Sequence, residues 1–208
     1  MNIVPALLTD DQAFLERQIR QVEVFTDRAQ IDFMDGLFVP TTSISPEELA
    51  SIRTSLDLNA HIMVEEPESY LARLAGSVSE IIFHLEAADD PERTVSAIRA
   101  AGLKASIAVN PETPFGRVVE MLEGLESVLF LSVHPGRSGT SFIPAVLDSV
   151  RSFKKQNPKA QVGLDGGIKI SNCVEIRDAG VDTAYVGSGL MADPDPAGMY
   201  RKFLTLIN

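Results

Sequence analysis

Cysteine is almost missing from this chain of 208 residues, which carries Cys173 alone. A single thiol with no CxxC neighbour excludes a disulfide scaffold and a thiolate metal site, and Cys173 reads as a small helix residue. Long apolar runs are also missing. No stretch approaches the roughly 20 residues of a membrane span, and the N-terminal MNIVPALLTDD shows neither a basic n-region nor a cleavage-like sequence. The expectation is a cytoplasmic protein with no membrane partner. Positive charge is scarce: 18 Lys and Arg stand against 29 Asp and Glu, a net charge of −11. That balance argues against nucleic acid as a partner, and it obliges any anionic substrate to be held locally against the overall field. Low-complexity tracts are absent, because the 14 glycines and 12 prolines are spread along the chain. What is present, 45% hydrophobic and 23% charged residues, is ordinary globular composition. The length suits one domain over residues 1–208.

Short apolar runs alternate with amphipathic stretches. NIVPALL reads as a strand and residues 11–25 as a helix. A second strand at 29–33 precedes a helix at 46–54, with Ser45 as N-cap and Pro46 in the first helical position. Strand three, 58–63, is followed by a helix opening at Pro67, and strand four, 80–84, by a helix at 91–101 that Gly102 stops. Strands at 104–109, 128–133, 161–164 and 183–186 lead into helices at 114–122, 143–156, 170–179 and 196–207. Eight β-then-α units imply a parallel sheet with right-handed crossovers, and eight is the number that closes a (β/α)8 barrel.

An open doubly wound sheet is the competing fold, but the first βα turn, PALLTDD, has no glycine fingerprint for a dinucleotide. The glycine-rich turns come late, as DGGIK and GSGLM, after strands seven and eight, where (β/α)8 barrels commonly bind phosphate. Gly166, Gly167, Gly187 and Ser188 let backbone N–H groups come close to an anion. Either motif alone also fits a plain tight turn.

Polar groups fall at the expected strand ends: Asp32, His61, His84 and Asp165, with His134 in the loop after strand six. Groups so placed converge on one mouth of a barrel, where they serve acid–base or metal chemistry. One histidine so placed is more often structural. His84 suits packing or support of a neighbour as well as chemistry, and Asp35, before Gly36, reads as a brace for its loop.

The strings MDGLFVP, HIMVEEPESY, FHLEA, SVHPG-x-x-G-x-SFIP, LDGGI and VGSGL, in this order, resemble the ribulose-phosphate 3-epimerase family from the first strand to the last helix. The resemblance implies a (β/α)8 barrel of the ribulose-phosphate-binding type, usually a homo-oligomer. Its substrate is a phosphorylated ketose, D-ribulose 5-phosphate interconverting with D-xylulose 5-phosphate. Two aspartates, matched by Asp32 and Asp165, exchange a proton at carbon 3, one as base and one as acid. The proton beside a ketone is weakly acidic, so its removal needs a placed base and stabilisation of the developing ene-diolate. In the family a divalent cation, often zinc, does this as a Lewis acid. The implied ligand set here is Gln30, Asp32, His61 and Asp165, with zinc, manganese, cobalt or iron(II) as the ion. Met34 and Met63 would limit water, although buried methionine is also common core filler. Gly139 joins the phosphate-binding set, and Ala6, His84, Leu131 and Arg137 line the site.

This chain departs from the family at several of those positions. Gln30 replaces a ligand histidine, and an amide oxygen is a harder and weaker ligand that shifts preference towards oxygen-accepting metals. Ala6 replaces a serine, Leu131 a methionine, and the loop reads PGRSGTSF, with Arg137 and Ser138 in place of small apolar residues. Arg137 is either a solvated charge or a bidentate grip on phosphate. The leading expectation is a sugar-phosphate 3-epimerase, with a hexulose 6-phosphate as alternative substrate. A non-catalytic sugar-phosphate binder that has lost the metal centre is the next alternative. A barrel decarboxylase or lyase comes last, because IDFMD has no lysine between its aspartates.

Overall fold

The computed structural model describes residues 1–114, 116–119, 125–136 and 141–207. Its strands are β1 (Asn2–Leu7), β2 (Arg28–Met34), β3 (Asp57–Met63), β4 (Glu80–His84), β5 (Lys104–Val109), β6 (Val128–Leu131), β7 (Val162–Asp165) and β8 (Thr183–Val186). They pair in parallel in sequence order, and β1 pairs with β8 to close the barrel. The helices that follow them are α1 (Gln12–Val22), α2 (Pro46–Ala50), α3 (Glu68–Leu74), α4 (Pro91–Ala100), α5 (Gly116–Val119), α6 (Val146–Gln156), α7 (Cys173–Asp178), α8 (Ser188–Met191) and α9 (Pro196–Ile207). The expected (β/α)8 architecture is therefore the observed one.

Strand alternation sorts the core into two layers. Residues such as Ile31, Phe33, Ile81, Phe83, Ile107 and Phe130 face outward into the large core beneath the helices, where Leu15, Ile19, Phe153 and Phe203 meet them. Each of these large side chains contributes roughly 1.5–3 kcal/mol on burial. The alternate positions fill the barrel interior with Val4, Ala6, Ile82, Ala108, Leu129, Leu131, Val133 and Tyr185. The same parity puts Gln30, Asp32 and Met34 of β2 on the inner face, and His61 and Met63 of β3 beside them in register.

Local chemistry sets the helix starts. The Asp11 carboxylate accepts the Phe14 N–H at 2.9 Å to open α1. Ser45 and Glu48 form a reciprocal capping box at α2, with Pro46 in the first turn. Helix α2 is shorter than expected, as the Ser51 hydroxyl donates to the Glu48 carbonyl at 2.7 Å and ends it. Strand β6 also stops early, at Leu131, because Ser132 turns to bond the loop after β7. Two short elements lay outside the sequence expectation: the 3-10 turn Leu85–Ala87 and α8. Part of the expected helix at 114–122 lies outside the described residues.

Candidate active site

Each functional side chain sits on the inner face of a strand. Asp32 and His61 lie within β2 and β3, two residues before their ends, and pair across the ladder. His84 and Asp165 are the last residues of β4 and β7. The expectation of four strand ends is thus corrected for Asp32 and His61; the barrel register, not the strand terminus, brings them level with the others. The His61 Nδ1 lies 3.1 Å from Asp32 Oδ1 and 3.8 Å from Asp165 Oδ2. Gln30, fully buried, donates through Nε2 to Asp32 Oδ1 at 2.9 Å and to Asp165 Oδ2 at 2.6 Å.

These groups open into a cavity of about 310 Å³. Its walls include Asp32, His61 and Asp165, apolar Ala6, Met34, Met63 and Leu131, and backbone-rich Gly166, Gly167, Gly187 and Ser188. Gly166 has φ +108, and a Cβ there would lie 2.4 Å from Val133 Cγ2. That loop is held from below, where the Ser132 hydroxyl donates to the carbonyls of Asp165 at 2.9 Å and Gly166 at 2.6 Å.

The structure separates the three histidines. His61 and His84 stack with Nε2 atoms 3.0 Å apart, while His134 is 70% exposed and 3.5 Å from Glu112. His134 lies in the loop after β6 as expected, but it faces outward and does not line the cavity, although Val133, Pro135 and Gly136 beside it do. Gln30 and His84 stand behind the cavity wall. Arg137 and Gly139 lie outside the described residues. Asp35 accepts the N–H groups of Leu37, Phe38 and Glu65 at 2.8, 3.0 and 2.7 Å, which ties its loop to the end of β3. Sequence reasoning gave no role to Glu86 or Ser132. The one signal for Glu86 was a carboxylate two residues after a histidine, in FHLEA.

Burial, and then the charge of Asp32, push the Asp165 carboxyl up, against smaller opposing effects of His61 and of bonds from Gln30 and Gly166. Burial works against the charged form of His61, but Asp32 and Asp165 outweigh it and raise the ring. Burial drives His84 down to about 4. For Glu86, burial alone would raise the carboxyl, yet bonds from His84, Thr113 and the Asn110 N–H bring it to about 2.

The ligand atoms of Asp32, His61 and Asp165 lie within 4.8 Å of one another, and two carboxylates with an imidazole suit a divalent cation. Gln30 adds an observation of its own: its Oε1 is buried without a hydrogen-bond partner. A half-turn of that amide would offer this oxygen to the point where the two aspartates meet. The residues present therefore fit such an ion.

The family model described as the ribulose-phosphate 3 epimerase family matches residues 2–191. The chain is 35% identical to ribulose-phosphate 3-epimerase 1 of Cupriavidus necator, over 98% of this chain and 90% of that protein. It is 34% identical to ribulose-phosphate 3-epimerase of Aquifex aeolicus, covering 99% and 96%, and 33% identical to that of Escherichia coli, covering 97% and 92%. Among solved structures it resembles KGPDC from Streptococcus mutans in complex with D-R5P, with TM-score 0.76 at 15% identity, covering 99% and 96%. Orotidine 5'-phosphate decarboxylase from Pyrococcus horikoshii matches with TM-score 0.71 at 13% identity, covering 99% and 98%. At those identities the two structures carry the fold alone.

Proposed function

The chain belongs to the ribulose-phosphate 3-epimerase family, and from that premise we propose that it interconverts D-ribulose 5-phosphate and D-xylulose 5-phosphate with Asp32 and Asp165 as the proton-transferring pair. It is an isomerase acting on carbohydrate phosphates. The observation that carries the residue assignment is the meeting of two carboxylates, from β2 and β7, on one cavity through a shared Gln30 amide.

For one epimer, Asp32 takes the proton from carbon 3, and the electrons of the broken C–H bond pass into the carbon 2 carbonyl. Asp165 then returns a proton to the opposite face of carbon 3, and the carbonyl re-forms. The roles exchange when the reaction runs backwards. Two adjacent carboxylates do not both ionise easily, so the raised Asp165 suits a pair that holds one proton between them. Met34, Met63 and Leu131 keep the wall apolar and limit water at the reacting carbon. The backbone of Gly166, Gly167, Gly187 and Ser188 provides the phosphate cup.

Asp32, His61 and Asp165, with Gln30 through its oxygen, would hold the divalent cation, which supplies Lewis-acid stabilisation of the oxygens at carbons 2 and 3. Zinc is the first ion to test. The oxygen-rich donor set also accepts manganese, cobalt or iron(II). The same reading takes residues 1–208 as one domain of a cytoplasmic homo-oligomer. Leu37 and Val24, 72% and 78% exposed, are apolar surface that a second copy can cover, and the buried Cys173 requires no oxidising compartment.

The test is deuterium incorporation at carbon 3 of D-ribulose 5-phosphate in heavy water, with metal-stripped protein and protein supplied with each of the four ions. Exchange with formation of xylulose 5-phosphate is expected. Asp32→Asn and Asp165→Asn should each lose roughly 10²–10⁴-fold or more in turnover while still binding phosphate. Full turnover in both variants would remove the two-aspartate mechanism, and exchange seen with a hexulose 6-phosphate alone would reassign the substrate.

A further inference from the structure

Behind the cavity wall a line of side chains runs from Asp32 to the turn after β4. The His61 Nε2 and His84 Nε2 are 3.0 Å apart, and His84 Nδ1 lies 3.3 Å from Glu86 Oε2. Both rings are buried, and the Phe38 ring packs on His84 at 4.8 Å between centroids. The other Glu86 oxygen accepts the Asn110 backbone N–H at 2.9 Å and the Thr113 hydroxyl. Both of those groups are donors there, so Glu86 is held as a carboxylate.

A neutral imidazole has one N–H and one lone pair, and the two facing Nε2 atoms share one proton. The line can therefore point in two directions. In one, His84 donates from Nδ1 to Glu86, His61 donates from Nε2 to His84, and the Nδ1 lone pair of His61 faces Asp32 and Asp165. In the other, His61 donates from Nδ1 to Asp32, and a lone pair on His84 is set against the Glu86 carboxylate. The second leaves Glu86 Oε2 without the one bond the described residues give it. The first sets the His61 Nδ1 lone pair 3.1 Å from Asp32 Oδ1, a contact that a cation held there relieves, and it leaves that oxygen still bonded by Gln30 at 2.9 Å.

We propose that Glu86, acting through His84, is a positioning residue that sets His61 as the Nε2–H tautomer and aims its Nδ1 lone pair between Asp32 and Asp165. The proposal rests on the epimerase reading only in taking that point as the place of the cation. A carboxylate behind an imidazole fixes the ring's orientation and makes it a better donor, and loss of such support typically costs 10–100-fold in metal affinity. Here the support is relayed through a second ring, so Glu86 controls a ligand it does not touch.

Glu86→Gln tests this with almost no change of shape. The Asn110 N–H requires the amide oxygen of the new side chain, which turns its NH2 towards His84 Nδ1. A donor there reverses the line, and His61 then carries its proton on Nδ1, facing Asp32. Nitrogen-15 spectra of the histidines, recorded on the apoprotein at about pH 9 where free imidazole is neutral, should show His61 protonated at Nε2 in the parent and at Nδ1 in E86Q. Zinc and manganese affinities, read by chelator competition without substrate, should fall roughly 10–100-fold in E86Q, and Glu86→Asp should recover part of the loss. A proton on Nδ1 of the parent His61, or unchanged tautomer and metal affinity in E86Q, overturns the proposal. The spectra are independent of turnover, so failure of the epimerase reading shows separately, as absence of carbon 3 exchange in the parent.

Discussion

Among single residues, Gly166, Gly167 and Gly189, in the two loops proposed to hold the phosphate, leave no room for a side chain, for steric reasons that can be read atom by atom. A Cβ on Gly189 would lie 2.1 Å from the Ile168 carbonyl oxygen, so the loop after β7 and the start of α8 touch through bare backbone. Gly189→Ala must force them apart, at a cost of about 1–3 kcal/mol as an overpacking change. The cup would widen, and the expected kinetic sign is a raised KM for the phosphorylated substrate with a smaller fall in kcat. Gly116, at the start of α5, has open space around the same Cβ position. Gly116→Ala should therefore be neutral or stabilising by about 0.5–1 kcal/mol. Denaturant unfolding of the two variants checks the contrast; equal costs at both positions would show that close approach at Gly189 is not what the cup depends on.

At the scale of elements, the strands supply a second buried polar group whose ionisation sets a pH dependence. Glu80 opens β4, is 5% exposed, and accepts from the Ser106 hydroxyl of β5. Burial raises its carboxyl, outweighing the opposing effects of Ser106, Arg28 and Lys104. The folded protein thus holds this proton more tightly than the unfolded chain does. The resulting stability is complete below the unfolded value of about 4.3 and is lost as pH rises through the folded one. Glu80→Gln keeps an oxygen for Ser106 and removes the titration. Its melting temperature should exceed the parent's by more at pH 8 than at pH 5, whereas a pH-independent difference would show that Glu80 ionises freely. The same strands show how far the sequence could be read. Period-two runs with Val, Ile and Phe marked the strands, and Ser45, Pro46 and Gly102 marked helix boundaries, because those signals are local. The pairing of Asp32 with His61 depends on register between β2 and β3, and the relay to Glu86 depends on a 3-10 turn that carries no period of its own. His134 falls in the loop after β6 as its position in the sequence implies, but whether a loop side chain faces the cavity or solvent is set by the loop's own path, and here it faces outward, towards Glu112.

For the whole molecule, the net charge of −11 and the placement of charge around the cavity have a kinetic consequence. Among the described residues the cavity walls contain Asp32 and Asp165 and neither lysine nor arginine, so a sugar phosphate is met by backbone N–H groups and not by cationic side chains. Backbone dipoles act over the last few ångströms, whereas the repulsion of a dianion by an acidic molecule acts over the Debye length, about 30 Å at 0.01 M salt and 8 Å at 0.15 M. Enzymes that steer anionic substrates with positive fields lose kcat/KM as salt is added. This one should do the reverse. Raising ionic strength from about 0.01 M to about 0.15 M at saturating metal should screen the repulsion and increase kcat/KM, through KM, with kcat nearly constant because the long-range repulsion acts on the approach of the substrate and not on the bound complex. A neutral competitive inhibitor that lacks the phosphate should show no such dependence. A fall in kcat/KM with salt would mean that cationic side chains outside the described walls govern the approach of the substrate, and that the backbone cup acts only after capture.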